Sequence, residues 1–264
     1  LHSPIAIYGF EKGMHVLSEK PAGVYTKQVE EMNEAAAKSG KVFGIMYNQR
    51  TNPKFQKMRE IVQSGALGEL KRCVWIITNW YRTQAYYDSG TWRATWAGEG
   101  GGVLINQCPH NLDLWQWIFG MPNKISAHCK YGRWHNIEVE DEVTAYAEYP
   151  NGATGVFITT TGEAPGTNRF EITGTLGKLV AEGNTLKFTK NEVDAAEFSR
   201  TSDQGFGKPK TEYIEYKFEN GGPQHKGITQ NFTDHLIKGT PLLASGYEGI
   251  NGLSISNAMM LSSW

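Results

Sequence analysis

The sequence predicts a two-part protein, in which a short parallel α/β region precedes a larger α+β region built on a mostly antiparallel sheet. Up to about residue 50, helical and strand patterns alternate, which is the rhythm of βαβ units. From residue 124 to residue 218 the pattern is mostly strands joined by short connections, which is typical of an antiparallel sheet. We therefore divide the chain into residues 1–50 and residues 51–264.

The first region is predicted to hold two helices, each followed by a strand. Val29, Met32 and Ala36 recur at helical spacing in the second helix. The second strand is almost continuously apolar, as expected of a strand buried on both faces of a parallel sheet. In chain order the predictions are a helix over 4–12, a strand over 15–20, a helix capped by Thr26 and closed by Gly40, and a strand over 41–47.

The second region is predicted to form one large sheet covered by helices on one face. Its other face is expected to meet a ligand or a partner, so we expect a homodimer or homotetramer. Weak periodicity over 192–210 predicts a loop. The predicted elements are helices over 54–63, from the glycine cluster 100–102 to Gly120, over 229–238 and over 247–262, with strands over 70–81, 142–149, 155–161, 169–173, 177–182 and 185–189.

Composition and charge exclude several classes of partner. The formal net charge is −1 and no block of like charge occurs, so neither nucleic acid nor a membrane surface is an expected partner. No apolar run is long enough to span a bilayer. Cys73, Cys108 and Cys129 form neither a disulfide framework nor a zinc-binding spacing. We therefore expect a cytoplasmic protein without a metal site.

Both ends of the chain have unusual sequences for natural termini. Leu1 opens directly into a helix-like pattern, and Trp264 follows the apolar stretch 250–261. Because natural domain ends are more often polar and frayed, we expect truncation at both ends.

The string Ser18-Glu19-Lys20-Pro21 is the first candidate for chemistry. Glu19 and Lys20 follow a presumed parallel strand, and ligands bind beyond the carboxyl ends of such strands. A lysine there donates hydrogen bonds to a substrate hydroxyl, and partial burial lowers its pKa. The alternative is an ordinary solvent-exposed charged pair that ends a strand.

The second candidate string follows the glycine cluster. If it is helical, Asn106, His110, Asp113 and Trp117 share one face. His110 is the natural proton shuttle, Asn106 is suited to hold one imidazole tautomer or to bind a hydroxyl, and Asp113 is placed to orient the ring. In the alternative, His110 is a core histidine bonded to Asp113 without a role in a reaction.

The third candidate is a loop in which aromatic residues alternate with arginine. Aromatic rings stack on flat rings and sugar faces, and arginine grips phosphate. A protein interface patch explains the composition equally well. The residues are Tyr81, Arg82, Tyr86, Tyr87, Trp92, Arg93 and Trp96.

Taken together, these strings resemble the glucose–fructose oxidoreductase/inositol dehydrogenase/MocA family over nearly the whole chain. The Glu19-Lys20-Pro21 triplet alone is a weak signal. It becomes fairly specific because it is followed by the glycine run 100–102, by the polar residue Asn106 and, four positions later, by His110. The positions in the family's order and approximate spacing are His2, Gly13, Glu19-Lys20-Pro21, Arg50, Asn52-Pro53, Trp92-Arg93, 100–102, His110, Asp113 and Gly120.

The resemblance implies a Rossmann NAD(P)-binding domain, of which residues 1–50 are the C-terminal part, and a substrate-binding and oligomerisation domain over residues 51–264. It implies NAD or NADP and hydride transfer at a hydroxyl or carbonyl carbon of a sugar or polyol. Lys20 would contact the reacting oxygen and His110 would give or take the proton. The residues implied to line the cofactor are His2, Glu19, Lys20, Asn48, Trp92 and Arg93, and the candidate substrate-binding residues are Arg50, Tyr81 and Asn106.

Two departures from the family pattern matter. Many members have Asp where Asn106 stands, and an amide cannot take a proton, so that role would fall to His110 and Lys20. The glycine-rich phosphate loop and the residue that selects NAD or NADP belong upstream of Leu1. We therefore expect residues 1–264 alone to bind cofactor weakly or not at all.

Two other functions remain open from the sequence. One is a glycosidase or epimerase-like enzyme that uses nicotinamide transiently, and the other is a sugar-binding module without catalysis. Fold analogy alone does not decide among them.

Overall fold

Most helices and strands form in the order that the residue pattern predicts, although it does not predict the short helices Gln84–Tyr87 and Ala195–Thr201, and the computed structural model describes residues 1–264. The helices are α1 His2–Glu11, α2 Thr26–Ser39, α3 Pro53–Gln63, α4 Gln84–Tyr87, α5 Pro109–Phe119, α6 Ala195–Thr201, α7 Gln224–Lys238 and α8 Gly249–Ser263. The strands are β1 Val16–Ser18, β2 Phe43–Ile45, β3 Leu70–Ile77, β4 Lys124–Tyr131, β5 Glu140–Glu148, β6 Thr154–Thr160, β7 Asn168–Gly174, β8 Gly177–Glu182, β9 Thr185–Asn191 and β10 Thr211–Lys217. Short 3₁₀ turns occur at Asn48–Thr51 and Gly246–Glu248.

Local sequence signals fix the ends of two of the helices. At the start of α3, the Asn52 side chain accepts a hydrogen bond from the Lys54 amide at 3.0 Å, and Pro53 occupies the first turn. At the end of α2, Gly40 has a left-handed φ of 63°. The predicted cap of α2 is one residue off, because Tyr25 occupies the N-cap position and Thr26 is already helical.

β1 and β2 form a parallel pair at the beginning of the chain. Val16 pairs with Phe43 and Ser18 pairs with Ile45. The Met46 amide continues the ladder by donating to the Ser18 carbonyl at 2.8 Å. Because parallel strands end at the same edge, residues 19–20 and residues 46–48 lie side by side beyond that edge.

The second sheet has eight strands in the order β10-β9-β8-β7-β3-β6-β5-β4. Every neighbouring pair is antiparallel except β3 and β6, which confirms the mostly antiparallel sheet predicted from the strand pattern. Trp75 of β3 stacks on Phe170 of β7 with ring centroids 4.3 Å apart. One continuous hydrophobic core joins this sheet to the residues around β1 and β2.

Helices cover one face of the large sheet. Buried residues alternate along the central strands, and the residues between them, including Val74, Ile76, Val156 and Ile158, are only partly buried on the opposite face. That open face carries the exposed ring of Tyr146 as well. None of the helices combines the length and the apolar character needed to cross a bilayer.

The helix predicted to begin at the glycine cluster instead begins at Pro109, after a series of turns. The backbone of this segment is pressed against β5. A Cβ atom on Gly102 would lie 2.0 Å from the Glu140 carbonyl oxygen. The Glu140 carboxylate accepts hydrogen bonds from the amides of Gly102 and Leu104 at 2.9 and 3.0 Å. These contacts replace the helical hydrogen bonds that the sequence pattern predicted.

Three further predictions about element bounds differ from the structure. α7 begins at Gln224, five residues before the predicted start at residue 229. β3 ends at Ile77 and does not continue to Tyr81. The predicted loop 192–210 contains the short helix α6, which Asp194 caps by accepting from the amides of Ala196 and Glu197. None of the residues of α6 is buried, so no apolar periodicity marks this helix in the sequence.

Candidate active site

The ends of β1 and β2 bring Lys20 and Asn48 to one edge of the first sheet. Lys20 follows β1 and is partly buried. Its Nζ donates a hydrogen bond to the backbone carbonyl of Asn106 at 3.2 Å. This bond links the end of β1 to the segment that leads into α5.

Burial and neighbouring charges act in opposite directions on Lys20. Burial is the larger effect and lowers the pKa of the ammonium, while Glu19, Cys108 and Glu99 oppose it. Burial raises the pKa of the Cys108 thiol to about 12, so this group is uncharged near neutral pH. Glu19 is exposed to solvent and accepts a hydrogen bond from the Lys20 backbone amide at 3.3 Å.

His110 lies in the first turn of α5, with its ring edge toward Tyr47 at a centroid separation of 6.3 Å. Its Nδ1 is buried without a hydrogen-bond partner. Burial, followed by the charges of Lys20 and His225, lowers the pKa of His110 from 6.5 to about 3. The imidazole is therefore neutral at physiological pH and has a free nitrogen. That nitrogen is free to accept a hydrogen bond from a bound hydroxyl.

His225 joins this group and was missed by sequence reasoning. It lies at the start of α7, and its Nδ1 is 3.1 Å from Nδ2 of Asn48. The Asn48 Oδ1 atom is buried without a partner. The apolar pattern of α7 begins only near residue 229, so the sequence gives no signal that connects His225 with Asn48.

A cavity of about 420 Å³ opens beside Lys20. Four residues from the sequence-based site line it: His2, Lys20, Trp92 and Asn106. Its wall also includes Glu99, which the sequence analysis did not single out. A nicotinamide ring with its carboxamide needs a flat apolar wall together with hydrogen-bond donors and acceptors. The exposed Trp92 ring, the Lys20 ammonium and the Glu99 carboxylate provide these groups, so the residues present fit a nicotinamide.

The aromatic loop holds Arg93 in a defined position. Its guanidinium lies over the rings of Tyr86 and Trp92, at 4.4 and 4.6 Å from their centroids. It also donates to the Tyr86 hydroxyl at 2.8 Å, while its buried Nε has no partner. Tyr81 is half exposed on the same loop and does not line the cavity beside Lys20.

Arg50 and Asp113 pair with each other away from the cavity. Both side chains are 1% exposed, with Nε to Oδ2 at 2.9 Å and Nη2 to Oδ1 at 2.6 Å. Glu248 contacts the same guanidinium at 2.6 Å. A buried guanidinium requires a carboxylate partner, so Asp113 serves Arg50 and makes no hydrogen bond to His110. The structure therefore gives Arg50 an internal ion pair in place of the expected substrate contact.

The helix face predicted to run from Asn106 to Trp117 is formed only in part, since His110, Asp113 and Trp117 lie on α5 and Asn106 does not. Asn106 lies in the turns before α5, and its side-chain amide donates to the Glu99 carboxylate. Trp117 packs against the guanidinium groups of Arg50 and Arg59, at 5.1 and 4.6 Å from its ring centroid. Of the four residues, only His110 and Asn106 lie with Lys20.

Comparisons with known proteins agree with this architecture. Residues 55–180 match the family model described as GFO/IDH/MocA C-terminal domain. Trans-1,2-dihydrobenzene-1,2-diol dehydrogenase of Bos taurus is 31% identical over 218 residues, which are 77% of this chain and 62% of the relative. D-Glucoside 3-dehydrogenase of Escherichia coli (strain K12) is 29% identical over 170 residues, which are 57% of this chain and 46% of the relative. This chain thus spans less than two thirds of the length of both relatives.

A solved structure resembles the whole chain. The WlbA dehydrogenase from Chromobacterium violaceum, in complex with NADH and UDP-GlcNAcA, superposes with a TM-score of 0.83 and 27% sequence identity. The match covers 100% of this chain and 72% of that one. The sheet order, the paired ends of β1 and β2 and these likenesses lead to one conclusion: residues 55–180 of this chain form a GFO/IDH/MocA C-terminal domain.

Proposed function

We propose that the full-length gene product is an NAD(P)-dependent oxidoreductase. It transfers a hydride between nicotinamide and a hydroxyl- or carbonyl-bearing carbon of a sugar, polyol or related diol. The observation that carries the proposal is Lys20, which follows β1, binds the Asn106 carbonyl and lies near enough to His110 for its charge to lower the pKa of that imidazole. The names of the relatives, a diol dehydrogenase and a glucoside dehydrogenase, support this class of substrate.

Lys20 and His110 divide the chemistry at the reacting oxygen. When bound, NAD(P) supplies the hydride acceptor or donor. In the oxidation direction, the neutral imidazole of His110 takes the hydroxyl proton, and the Lys20 ammonium donates a hydrogen bond to the oxygen as the carbonyl forms. In the reverse direction, protonated His110 returns that proton to the alkoxide oxygen.

The residues around the cavity are proposed to hold the nicotinamide end of the cofactor. Trp92 offers a flat wall, and Arg93 is fixed behind it. His2 is anchored by a 2.7 Å contact between its Nδ1 and the Pro21 carbonyl. Glu19 and Asn48 follow the ends of the two parallel strands, where a dinucleotide crosses such a sheet.

The organisation of the whole protein is also a proposal. Residues 1–50 would complete a nucleotide-binding domain, and residues 51–264 would bind substrate and form the subunit contact. The open face of the large sheet would be covered in a homodimer or homotetramer. The three cysteines are buried and unpaired, which supports a reducing, cytoplasmic location.

The proposal is tested by a substrate screen with the full-length gene product. Sugars, polyols and diols are offered with NAD and with NADP, and the absorbance of reduced nicotinamide is followed. We expect net reduction with at least one hydroxyl substrate, and its loss in K20M and H110Q. Product formation without net reduced nicotinamide would instead indicate transient cofactor use. Binding of sugar without any turnover would indicate a module without catalysis.

A further inference from the structure

We propose that Glu99 is a positioning residue for Lys20: it fixes the Asn106 segment that anchors the ammonium and provides its buried counter-charge. This inference deepens the proposed function, since it concerns the same lysine. Asn106 stands where many members of the family that this chain resembles have Asp. The site still contains a carboxylate, because Glu99 lies seven positions earlier on the same loop.

The Glu99 carboxylate is held firmly from several directions. Its side chain is 8% exposed. One oxygen accepts from the Ala94 amide at 2.6 Å and the other accepts from the Asn106 side-chain amide. Arg93 Nη1 lies 3.7 Å from the same carboxylate, close enough for an ion pair. Ala94 has a left-handed φ of 53°, a conformation uncommon for alanine, and the bond to Glu99 helps to stabilise this turn.

A short chain of contacts joins Glu99 to Lys20. Glu99 accepts from the Asn106 side chain, and the Asn106 backbone carbonyl accepts from Lys20 Nζ at 3.2 Å. All three residues line the same cavity of about 420 Å³. A shift of Glu99 therefore moves the acceptor that fixes the tip of Lys20.

The other groups that face Lys20 cannot supply a lasting buried counter-charge. Glu19 is exposed, so water and salt screen its charge. Cys108 is a neutral thiol and His110 a neutral imidazole near pH 7. Of the two carboxylates that act on Lys20, Glu19 has the larger effect but is exposed, and Glu99 is the buried one. It acts against the burial that lowers the pKa of Lys20.

The test follows the ionisation of Lys20 directly. The full-length gene product is treated with an amine-reactive reagent over a range of pH, and the labelling rate of the Lys20 peptide is measured by mass spectrometry. Only the neutral amine reacts. The pH midpoint of the rate therefore reports the pKa of Lys20, and the high-pH plateau reports its accessibility.

In E99Q we expect the midpoint to move to lower pH, with faster labelling at pH 7–8 and a similar plateau. The double variant E99Q/N106D exchanges the two groups, so the amide of residue 99 donates to the carboxylate of residue 106. We expect it to move the midpoint back toward that of the original protein. E138Q is the matched control, because Glu138 is an exposed carboxylate that binds the Trp96 amide of the same loop.

An unchanged midpoint in E99Q, or an equal change in E138Q, would overturn the proposal. A lowered midpoint that N106D does not move back would also overturn it, because a purely structural disturbance would then explain the change. If E99Q does not fold, E99D must retain the original midpoint. The labelling needs neither substrate nor nicotinamide. A failed substrate screen therefore does not affect the conclusion about Glu99. An unchanged labelling midpoint in E99Q, in turn, does not affect the proposed oxidoreductase function.

Discussion

At the scale of single residues, burial decides which groups of the site carry charge. His110 loses its charge because its ring is buried beside the cationic Lys20. Glu140 shows the same effect in a carboxylate, since burial raises its pKa to about 7 although two backbone amides bind it. For Glu140 desolvation outweighs the opposing amide hydrogen bonds, whereas for His110 desolvation and the neighbouring charges act in the same direction. In the proposed reaction, His110 would therefore be the neutral base and Lys20 the hydrogen-bond donor.

The depressed pKa of His110 makes folding sensitive to acid. Between pH 6.5 and about 3, the unfolded chain binds a proton at this position that the folded chain does not bind. His110 therefore lowers the free energy of unfolding as the pH falls through this window. We expect H110Q to lose less stability than the original protein between pH 6.5 and pH 4.5, as measured by urea unfolding. H128Q, at an exposed position of β4, should behave like the original protein, and equal acid sensitivity in H110Q would contradict this account.

His225 is expected to affect turnover more than folding. Its contact with Asn48 places a second imidazole beside His110, and its side chain reaches solvent. We expect H225A to lower kcat by about tenfold or more, because a group that passes the proton between His110 and solvent would be missing. Added imidazole should restore part of the rate. A variant with lower activity that imidazole does not raise would exclude this role, and H235A, in the last turn of α7, serves as control.

At the scale of secondary structure, elements that are distant in the chain are held by a few non-local contacts. Arg50 in the turn 48–51 pairs with Asp113 on α5 and with Glu248 before α8. Periodicity predicted the order of the elements and most bounds within a few residues. It could not predict these pairings, because Arg50 and Asp113 are 63 positions apart, and Asn48 and His225 are 177 positions apart. A non-local contact also explains why α5 begins later than predicted, because the Glu140 carboxylate of β5 accepts a hydrogen bond from the Gly102 amide.

Breaking the Arg50–Asp113 pair should be strongly destabilising. D113N leaves the Arg50 guanidinium buried with an incomplete set of partners, which costs about 3–5 kcal/mol in comparable pairs. Urea unfolding should show this loss. E148Q, which breaks the exposed pair of Glu148 with Lys124, should change stability by less than about 1 kcal/mol. A D113N protein as stable as the original would rule out the structural role assigned to this pair.

Gly102 should be required to hold the Asn106 carbonyl in the position where it accepts the hydrogen bond from Lys20. In G102A the new methyl group would meet the Glu140 carbonyl oxygen at 2.0 Å, so the turns before α5 must shift. We expect a loss of about 1–3 kcal/mol in stability, typical of overpacking, together with faster chemical labelling of Lys20. G205A meets no atom within 4 Å and serves as control. Unchanged stability and labelling in G102A would show that this close contact does not hold the loop.

At the scale of the whole molecule, the two faces of the large sheet differ in burial. One face is covered by helices, and the other leaves Val156, Ile158 and Tyr146 partly or largely uncovered. Alternation along the strands predicted this two-sided sheet, but it could not reveal what covers the open face. The sequence likewise predicted that Lys20 and the α5 segment belong to one site. Glu99 escaped prediction because its role depends on a turn that no local pattern specifies.

A charge on the open face should weaken assembly of the subunits. I158E places a carboxylate among apolar side chains of β3 and β6, where a subunit contact would have to bury it. We expect sedimentation velocity to show a smaller species than the original protein forms. K38E, on an exposed part of α2, should leave the assembly unchanged. An oligomer unaffected by I158E would place the contact elsewhere.

Joint action of Lys20 and His110 on one oxygen atom is tested most directly by a double-mutant cycle in the full-length gene product. The kcat of K20M, of H110Q and of the double variant is measured with the best substrate and cofactor. We expect each single substitution to lower kcat by about 10²–10⁴-fold. The double variant should lose far less than the product of the two effects, because both groups serve the same step. Single variants that keep full activity, or losses that multiply, would contradict the account.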